Sequence, residues 1–125
     1  MTKNMAKSAA SVQDALTHKG LTCTVVEMAA TTRTANDAAA AIGCEVDQIV
    51  KSLIFKTASQ RPVLVLVSGP NRVNEQVVAQ QVGENIVKAD ADFVREVTGF
   101  AIGGIPPIGH VQRIEHIFID QDLLR

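Results

Sequence analysis

A run of eight residues, Gly103 to His110 with the sequence GGIPPIGH, combines the residue types that shape a ligand-binding loop. Glycines allow positive φ and the close approach of another group to the backbone, whereas Pro106 and Pro107 fix φ at about −65° and exclude helix. We therefore predict a stiff loop whose remaining N–H groups pair with turns, with water or with the carbonyl of a bound ligand. A tight connection between two strands explains the same pattern equally well.

Two side chains could act on such a ligand. Lys51 shares one face of a predicted strand with Leu53 and Phe55, where a cation either holds an anionic or carbonyl partner or extends its stem over apolar surface. His110 ends the loop, where it could donate a hydrogen bond, limit the size of a pocket or carry a proton. No nucleophile is arranged with it, so the sequence offers no support for covalent catalysis.

The segment from Ser68 to Asn74 (SGPNRVN) joins an apolar strand to a predicted helix. Open α/β sheets bind ligands at such positions. The spacing matches neither a phosphate-binding P-loop nor a dinucleotide fingerprint, so no nucleotide cofactor is predicted. Arg72 could meet a single phosphate, or it could be a solvated side chain while Asn71 and Asn74 serve a turn and a helix cap.

Composition excludes several classes of protein. The length of 125 residues predicts one domain with a single core. Twelve basic residues stand against thirteen acidic ones and the only aromatic residues are four phenylalanines, so we expect neither a phosphate-wrapping nor a base-stacking nucleic-acid module. Cys23 and Cys44 lie far apart without clustered histidines, which predicts no metal site. No apolar run is long enough for a membrane span and no signal peptide is evident, so we expect a cytoplasmic protein.

The elements that must position these residues alternate between helix and strand. Helices are predicted over 11–19 and after the N-cap residues Thr34, Asn74 and Asp90. Strands are predicted over 22–28, 50–56, 62–68, 86–88, 100–103 and 114–119. The run from Val63 to Val67 is apolar on both faces, so it belongs in the middle of a sheet that is covered on both sides.

Four motifs occur in an order that is typical of one family. They are TRT at 32–34, IVKSL at 49–53, GPNRVN at 69–74 and TGFAIGGIPPIGH at 98–110. With these motifs the chain closely resembles the YbaK/prolyl-tRNA editing-domain family over essentially its whole length, 1–125. The resemblance implies a single α/β domain with a mixed central sheet flanked by helices. It also implies a trans-editing deacylase, which hydrolyses the ester between a wrong amino acid and the 3′ end of a tRNA, typically tRNA(Pro).

The resemblance also implies a set of site residues. Lys51 matches the family's pocket lysine, and Gly103 and Gly104 match its glycine loop; these three are the expected catalytic residues. Backbone amides would steady the oxyanion, while a positioned water and the ribose hydroxyl of the substrate take part in hydrolysis. The expected substrate-binding residues are Thr32, Thr34, Ser52, Asn71, Arg72, Ile105, Pro106 and His110. Neither a cofactor nor a metal is expected.

The expected partner is the aminoacyl-adenosine end of a tRNA, with an aminoacyl-tRNA synthetase as a further candidate and no membrane. Two alternatives stay open: a non-catalytic module that binds the same end or a synthetase, and a small-molecule esterase or acyl-binding protein that uses the same loop. Family members usually continue after the equivalent of Asp122 with a strand, a turn and a helix, so the resemblance predicts a shortened C-terminal end and an unpaired sheet edge.

Overall fold

The central sheet contains the strands β1 (Val50–Thr57), β2 (Pro62–Ser68), β3 (Ile86–Lys88) and β4 (His116–Ile119). The computed structural model describes residues 7–26, 34–102 and 104–124, and in that part of the chain the strand order is β3-β1-β2-β4. The strand β1 pairs antiparallel with β2 and β3, whereas β4 pairs parallel with β2. The sheet is therefore mixed and its most apolar strand lies inside it, which confirms the predicted α/β fold.

The helices are α1 (Lys7–His18), α2 (Ala35–Ile42), α3 (Glu75–Val82) and α4 (Ala91–Thr98), with short 3-10 helices η1 (Val46–Gln48) and η2 (Gln121–Leu124). Three of them begin where N-cap residues were predicted. The side chains of Thr34, Asn74 and Asp90 each accept a hydrogen bond from the backbone N–H three residues later. Each such cap stabilises a helix by about 1 kcal/mol, which explains why these local signals were reliable.

One face of the sheet, the α4 face, packs against α4. Its buried residues Ile54 and Leu64 are paired across β1 and β2, and both contact a cluster that contains Val94 and Val97 of α4. Leu64 is fully buried. Because side chains alternate along a strand, the neighbours of these residues point to the opposite side.

The opposite side, the α3 face, packs against α3. It contains Phe55 and Val63, which are paired across β1 and β2, together with Val67 of β2 and Val78 of α3. Apolar residues on both sides therefore cover β2, as its composition predicted.

The strand predicted over 22–28 is wrong for residues 22–26, which form none; residues 27 and 28 lie outside the described ranges. A side chain supplies the reason. The Gln13 amide donates to the Cys23 carbonyl at 3.1 Å and accepts from the Val25 N–H at 2.7 Å. These bonds tie the β-branched run to α1, so its backbone needs no neighbouring strand.

The strand predicted over 100–103 is also wrong for residues 100–102, and residue 103 lies outside the described ranges. Here the Thr98 hydroxyl accepts from the Phe100 N–H at 3.0 Å and approaches the Phe100 carbonyl at 3.2 Å. Phe100 is buried without pairing to a strand. The segment that follows connects α4 to β4, so the alternative of a strand-to-strand connection is wrong as well.

Candidate functional site

Lys51 lies at the end of the sheet where β1 begins and β2 ends. It is paired with Val67, a residue of the α3 face, and its side chain is half-buried. The Lys51 ammonium donates a 2.8 Å hydrogen bond to the backbone carbonyl of Asn71, in the turn after β2. The lysine is therefore held by a carbonyl partner at the carboxyl end of β2, one of the two arrangements that its strand position allowed.

The side chain of Asn71 is held by two carboxylates. Its Nδ2 atom donates to Asp120 Oδ2 and to Asp122 Oδ2, both at 2.8 Å. A carboxylate can only accept, so these contacts fix the orientation of the amide group. Hydrogen bonds to ionised groups are stronger than those between neutral groups, and the turn is correspondingly well anchored.

Asp120 also anchors the backbone around this turn. Its Oδ2 atom accepts from the Ser68 N–H at 3.1 Å, and its own N–H donates to the Leu66 carbonyl at 2.8 Å. The N–H of Asp122 donates to Asp120 Oδ1 at 3.0 Å. Sequence reasoning missed both acids. The available signal was the sequence DQD directly after the last predicted strand, because parallel strands end at the same edge of a sheet.

Gly69 of the GPNRVN motif allows a close approach between backbones. A Cβ atom at this position would lie 2.2 Å from the Val46 carbonyl oxygen in η1 and 3.1 Å from the Ala35 Cβ atom in α2. The neighbouring Ser68 hydroxyl donates to the Asp47 carbonyl at 2.6 Å. The glycine therefore lets the turn rest against η1 and α2, and it needs no unusual φ to do so.

Three predicted binding residues lie around this end of the sheet. Thr34 caps α2, and its hydroxyl accepts from the Asp37 N–H at 3.0 Å. Ser52 is half-buried and, by alternation from Ile54, lies on the α4 face. Arg72 is exposed in the turn after β2. The predicted Thr32 lies outside the described residues.

The glycine- and proline-rich loop lies between α4 and β4. The Gly104 N–H donates to the Ala101 carbonyl at 2.9 Å, so a turn uses the amide that was expected to be available to a ligand. Ile105 packs on the cluster of the α4 face. The predicted Gly103 lies outside the described residues.

His110 closes the loop on itself. Its Nε2 atom lies 2.7 Å from the Pro106 carbonyl oxygen, and because a carbonyl can only accept, Nε2 carries the proton. Gly109 has a φ of +82°, which favours glycine, and a Cβ atom there would lie 3.1 Å from the Ala15 Cβ atom of α1. The loop thus has an internal hydrogen bond and a helix beside it, and its stiffness stays a prediction.

Lys51 and Ile105 of the loop lie on different faces of the sheet. Lys51 belongs to the α3 face, whereas Ile105 packs on the α4 face. Within the described ranges, Lys51 donates its hydrogen bond to Asn71 and none to the loop. Ser52, the β1 neighbour of Lys51, lies on the loop's side together with Ile54, so a ligand that meets both Lys51 and the loop must pass over an end or edge of the sheet.

An open groove of about 960 Å³ lies beside His110, between the C-terminal end of α1 and the segment before β4. Its lining includes the cationic residues Lys19 and Arg113 and the acidic residues Asp14 and Glu115. Lys51 does not line it. The groove offers space next to the loop, and its charges of both signs give no strong preference for an anion.

Among the described residues, no three histidine, cysteine, aspartate or glutamate side chains are placed to hold a metal ion. The helices of those ranges are too short or too polar to cross a bilayer.

Comparison with known proteins gives consistent matches. A family model described as the aminoacyl-tRNA editing domain matches residues 29–125. The proline-tRNA ligase of Maridesulfovibrio salexigens is 35% identical over 105 residues, which are 82% of this chain and 18% of the ligase. The uncharacterized protein YwhH of Bacillus subtilis is 29% identical over 101 residues, which are 81% of this chain and 64% of that protein. The chain thus spans less than a fifth of the ligase.

A solved structure matches almost the whole chain. It is that of a candidate trans-editing enzyme for prolyl-tRNA synthetase, and it superposes with a TM-score of 0.91 and 46% sequence identity. The match covers 97% of this chain and 76% of that one.

Proposed function

Because the chain belongs to the family of aminoacyl-tRNA editing domains, we propose that it is a trans-editing deacylase. The reaction is hydrolysis of the ester between a wrong amino acid and the 3′ end of a tRNA. The observation that carries the proposal is the half-buried Lys51 ammonium, held on the Asn71 carbonyl at the carboxyl end of β2. Ligands favour such an edge in α/β sheets, and an ammonium there suits the oxygen atoms of an aminoacyl-adenosine.

Hydrolysis in this proposal needs no nucleophilic side chain. Lys51 contacts the terminal aminoacyl-adenosine, while backbone N–H groups of the loop at Gly103 and Gly104 stabilise the oxyanion. A positioned water attacks the ester with help from the ribose hydroxyl. The Gly104 amide serves as a donor only after its hydrogen bond to Ala101 opens, so substrate binding must rearrange this turn.

The other predicted residues divide between the two faces. Asn71 and Arg72 lie in the turn beside Lys51, where Arg72 is exposed and can meet a phosphate of the acceptor end. Ile105, Pro106 and His110 shape the loop, and the groove beside His110 gives room for the substrate. Thr32, Thr34 and Ser52 complete the proposed lining of the site.

The proposed substrate is tRNA(Pro), or another tRNA, that carries a small wrong amino acid. A prolyl-tRNA synthetase is a proposed partner, because the matched proline-tRNA ligase and the matched trans-editing structure support a connection between this domain and that enzyme. Such a reaction would take place in the cytoplasm, where tRNAs are charged.

A second candidate is a non-catalytic module that binds an aminoacyl-tRNA end or a synthetase. One observation favours it: Lys51 and the Gly104 N–H, two donors that the reaction would use, are both engaged within the protein. A module that only binds would not need to break the hydrogen bond between the Gly104 N–H and the Ala101 carbonyl.

The deciding experiment measures deacylation of tRNA(Pro) charged with alanine, cysteine, serine, threonine or proline. We expect hydrolysis of at least one wrong ester and little loss of the proline ester. Lys51→Ala should slow the reaction about a hundredfold or more, as expected when a donor to developing charge is removed. Lys88→Ala is the matched control, because Lys88 is an exposed lysine of the same sheet. Tight binding of charged tRNA without hydrolysis would select the module instead.

A further inference from the structure

We propose that Asp120 is a positioning residue for Lys51. Its carboxylate fixes the turn after β2, and through that turn it fixes the carbonyl that holds the lysine ammonium. The consequence for catalysis rests on the proposed deacylase function, whereas the effect on Lys51 itself does not. Asp120 belongs to none of the four motifs that indicated the family, because the last motif ends at His110.

Asp120 connects the sheet to the turn after β2. It directly follows β4, and its N–H bond to the Leu66 carbonyl continues the pairing of β4 with β2 by one residue. Its backbone is therefore fixed by the sheet. The carboxylate then reaches the adjacent strand end, where it meets groups of two residues that bracket the turn.

The turn is held at both ends by a single carboxylate oxygen. Asp120 Oδ2 accepts from the Ser68 N–H at 3.1 Å and from Asn71 Nδ2 at 2.8 Å. The turn itself is closed by a 2.9 Å bond from the Asn71 N–H to the Ser68 carbonyl. Asn71 is thus constrained through its backbone and through its side chain, and its carbonyl has a defined direction.

That direction decides where the ammonium of Lys51 lies. A lysine side chain has many rotamers of similar energy, so a fixed acceptor selects among them. The Asn71 carbonyl is 2.8 Å from Lys51 Nζ and is the acceptor that the described residues provide. If the turn loses its anchor, the acceptor moves and the lysine samples other positions.

The test compares Asp120→Ala and Asp120→Asn with Glu96→Ala, an exposed acid on α4, as the control. The first readout is the labelling rate of Lys51 by an amine-reactive reagent, followed by peptide mass spectrometry. We expect a severalfold increase in Asp120→Ala, a smaller one in Asp120→Asn, which keeps one acceptor oxygen, and none in Glu96→Ala. An unchanged rate in Asp120→Ala would overturn the proposal, whether or not any variant is active.

The second readout is single-turnover deacylation of alanyl-tRNA(Pro). Asp120→Ala should reduce the rate by roughly tenfold to a hundredfold, as expected when a reacting group is displaced, with little change in tRNA affinity. In a Lys51→Ala background the same substitution should have almost no further effect, because coupled residues are not additive. Equal losses in both backgrounds would show that Asp120 does not act through Lys51.

Two further outcomes separate this proposal from its premise. Faster labelling of Lys51 in a protein that hydrolyses no ester would support the positioning role and reject the deacylase. If Asp120→Ala does not fold, Asn71→Ala removes the same side-chain link while keeping the backbone carbonyl. It also removes the link to Asp122 and keeps the bond from the Ser68 N–H to Asp120, so it should raise Lys51 labelling, and a wild-type rate in that variant would contradict the proposal.

Discussion

Replacing Gly69 by alanine should destabilise the fold strongly through one contact. The added Cβ atom would lie 2.2 Å from the Val46 carbonyl oxygen, whereas an ordinary carbon–oxygen contact is about 3.3 Å or longer. The turn or η1 must therefore move by about 1 Å. Neither moves easily, because the Val46 carbonyl accepts from the N–H of Ile49, the residue that caps η1, and the Ser68 hydroxyl donates to the Asp47 carbonyl. We expect a loss of about 3 kcal/mol in the free energy of unfolding, the upper end for overpacking.

The assay is equilibrium unfolding in urea with a thermal melt of the same protein. For a domain of this size, the expected loss corresponds to a melting temperature lower by about 10 °C. Gly20→Ala is the control, because an alanine there meets no atom within 4 Å and bears only the strain of a φ of +78°. Its cost should be about 1 kcal/mol. Equal stability of the two variants would refute the argument that close packing, and not backbone conformation, requires Gly69.

Two further predictions concern stability away from the lysine. Thr34→Ala removes the N-cap of α2 and should lower the free energy of unfolding by about 1 kcal/mol, measured in urea; an unchanged midpoint would argue against the cap. Glu84→Gln tests acid dependence: hydrogen bonds from the Ser59 side chain and N–H hold the pKa of Glu84 below its ordinary value of 4.5, against a smaller opposing effect of burial. A lowered folded-state pKa stabilises the fold above the unfolded value, and this stabilisation is lost as the pH falls through the folded value. The melting temperatures of wild type and Glu84→Gln should therefore converge below pH 4.5, and a constant difference would contradict this.

The predictable parts of the fold depend on near neighbours in the sequence. Thr34 meets the N–H of Asp37 three residues later, and the hairpin of β1 and β2 follows from two apolar runs with a short connection. Alternation placed Lys51 on the same face as Phe55. The wrong strands failed for an equally local reason, because Gln13 and Thr98 satisfy backbone groups that a strand neighbour would otherwise bond.

The candidate site was less predictable because its contacts are distant in the sequence. Asn71 meets Asp120 across 49 positions, and this contact depends on β4 lying parallel to β2. The acceptor for Lys51 is a main-chain carbonyl, which no pattern of side chains can indicate. Alternation assigns Lys51 to one face of the sheet, but the sequence does not show on which face Ile105 packs. The separation of the two residues therefore became evident only from the packing of the loop.

The long separation between Asn71 and Asp120 has a consequence for the order of events during synthesis. The hairpin can form once β2 has left the ribosome, but the turn after it gains its carboxylate anchor only when the end of β4 emerges. Lys51 is therefore synthesised well before the residues that fix the acceptor of its ammonium. A nascent chain interrupted before β4 would contain β1 and β2 without the Asp120 carboxylate, so the acceptor of the Lys51 ammonium would be fixed only in the finished sheet.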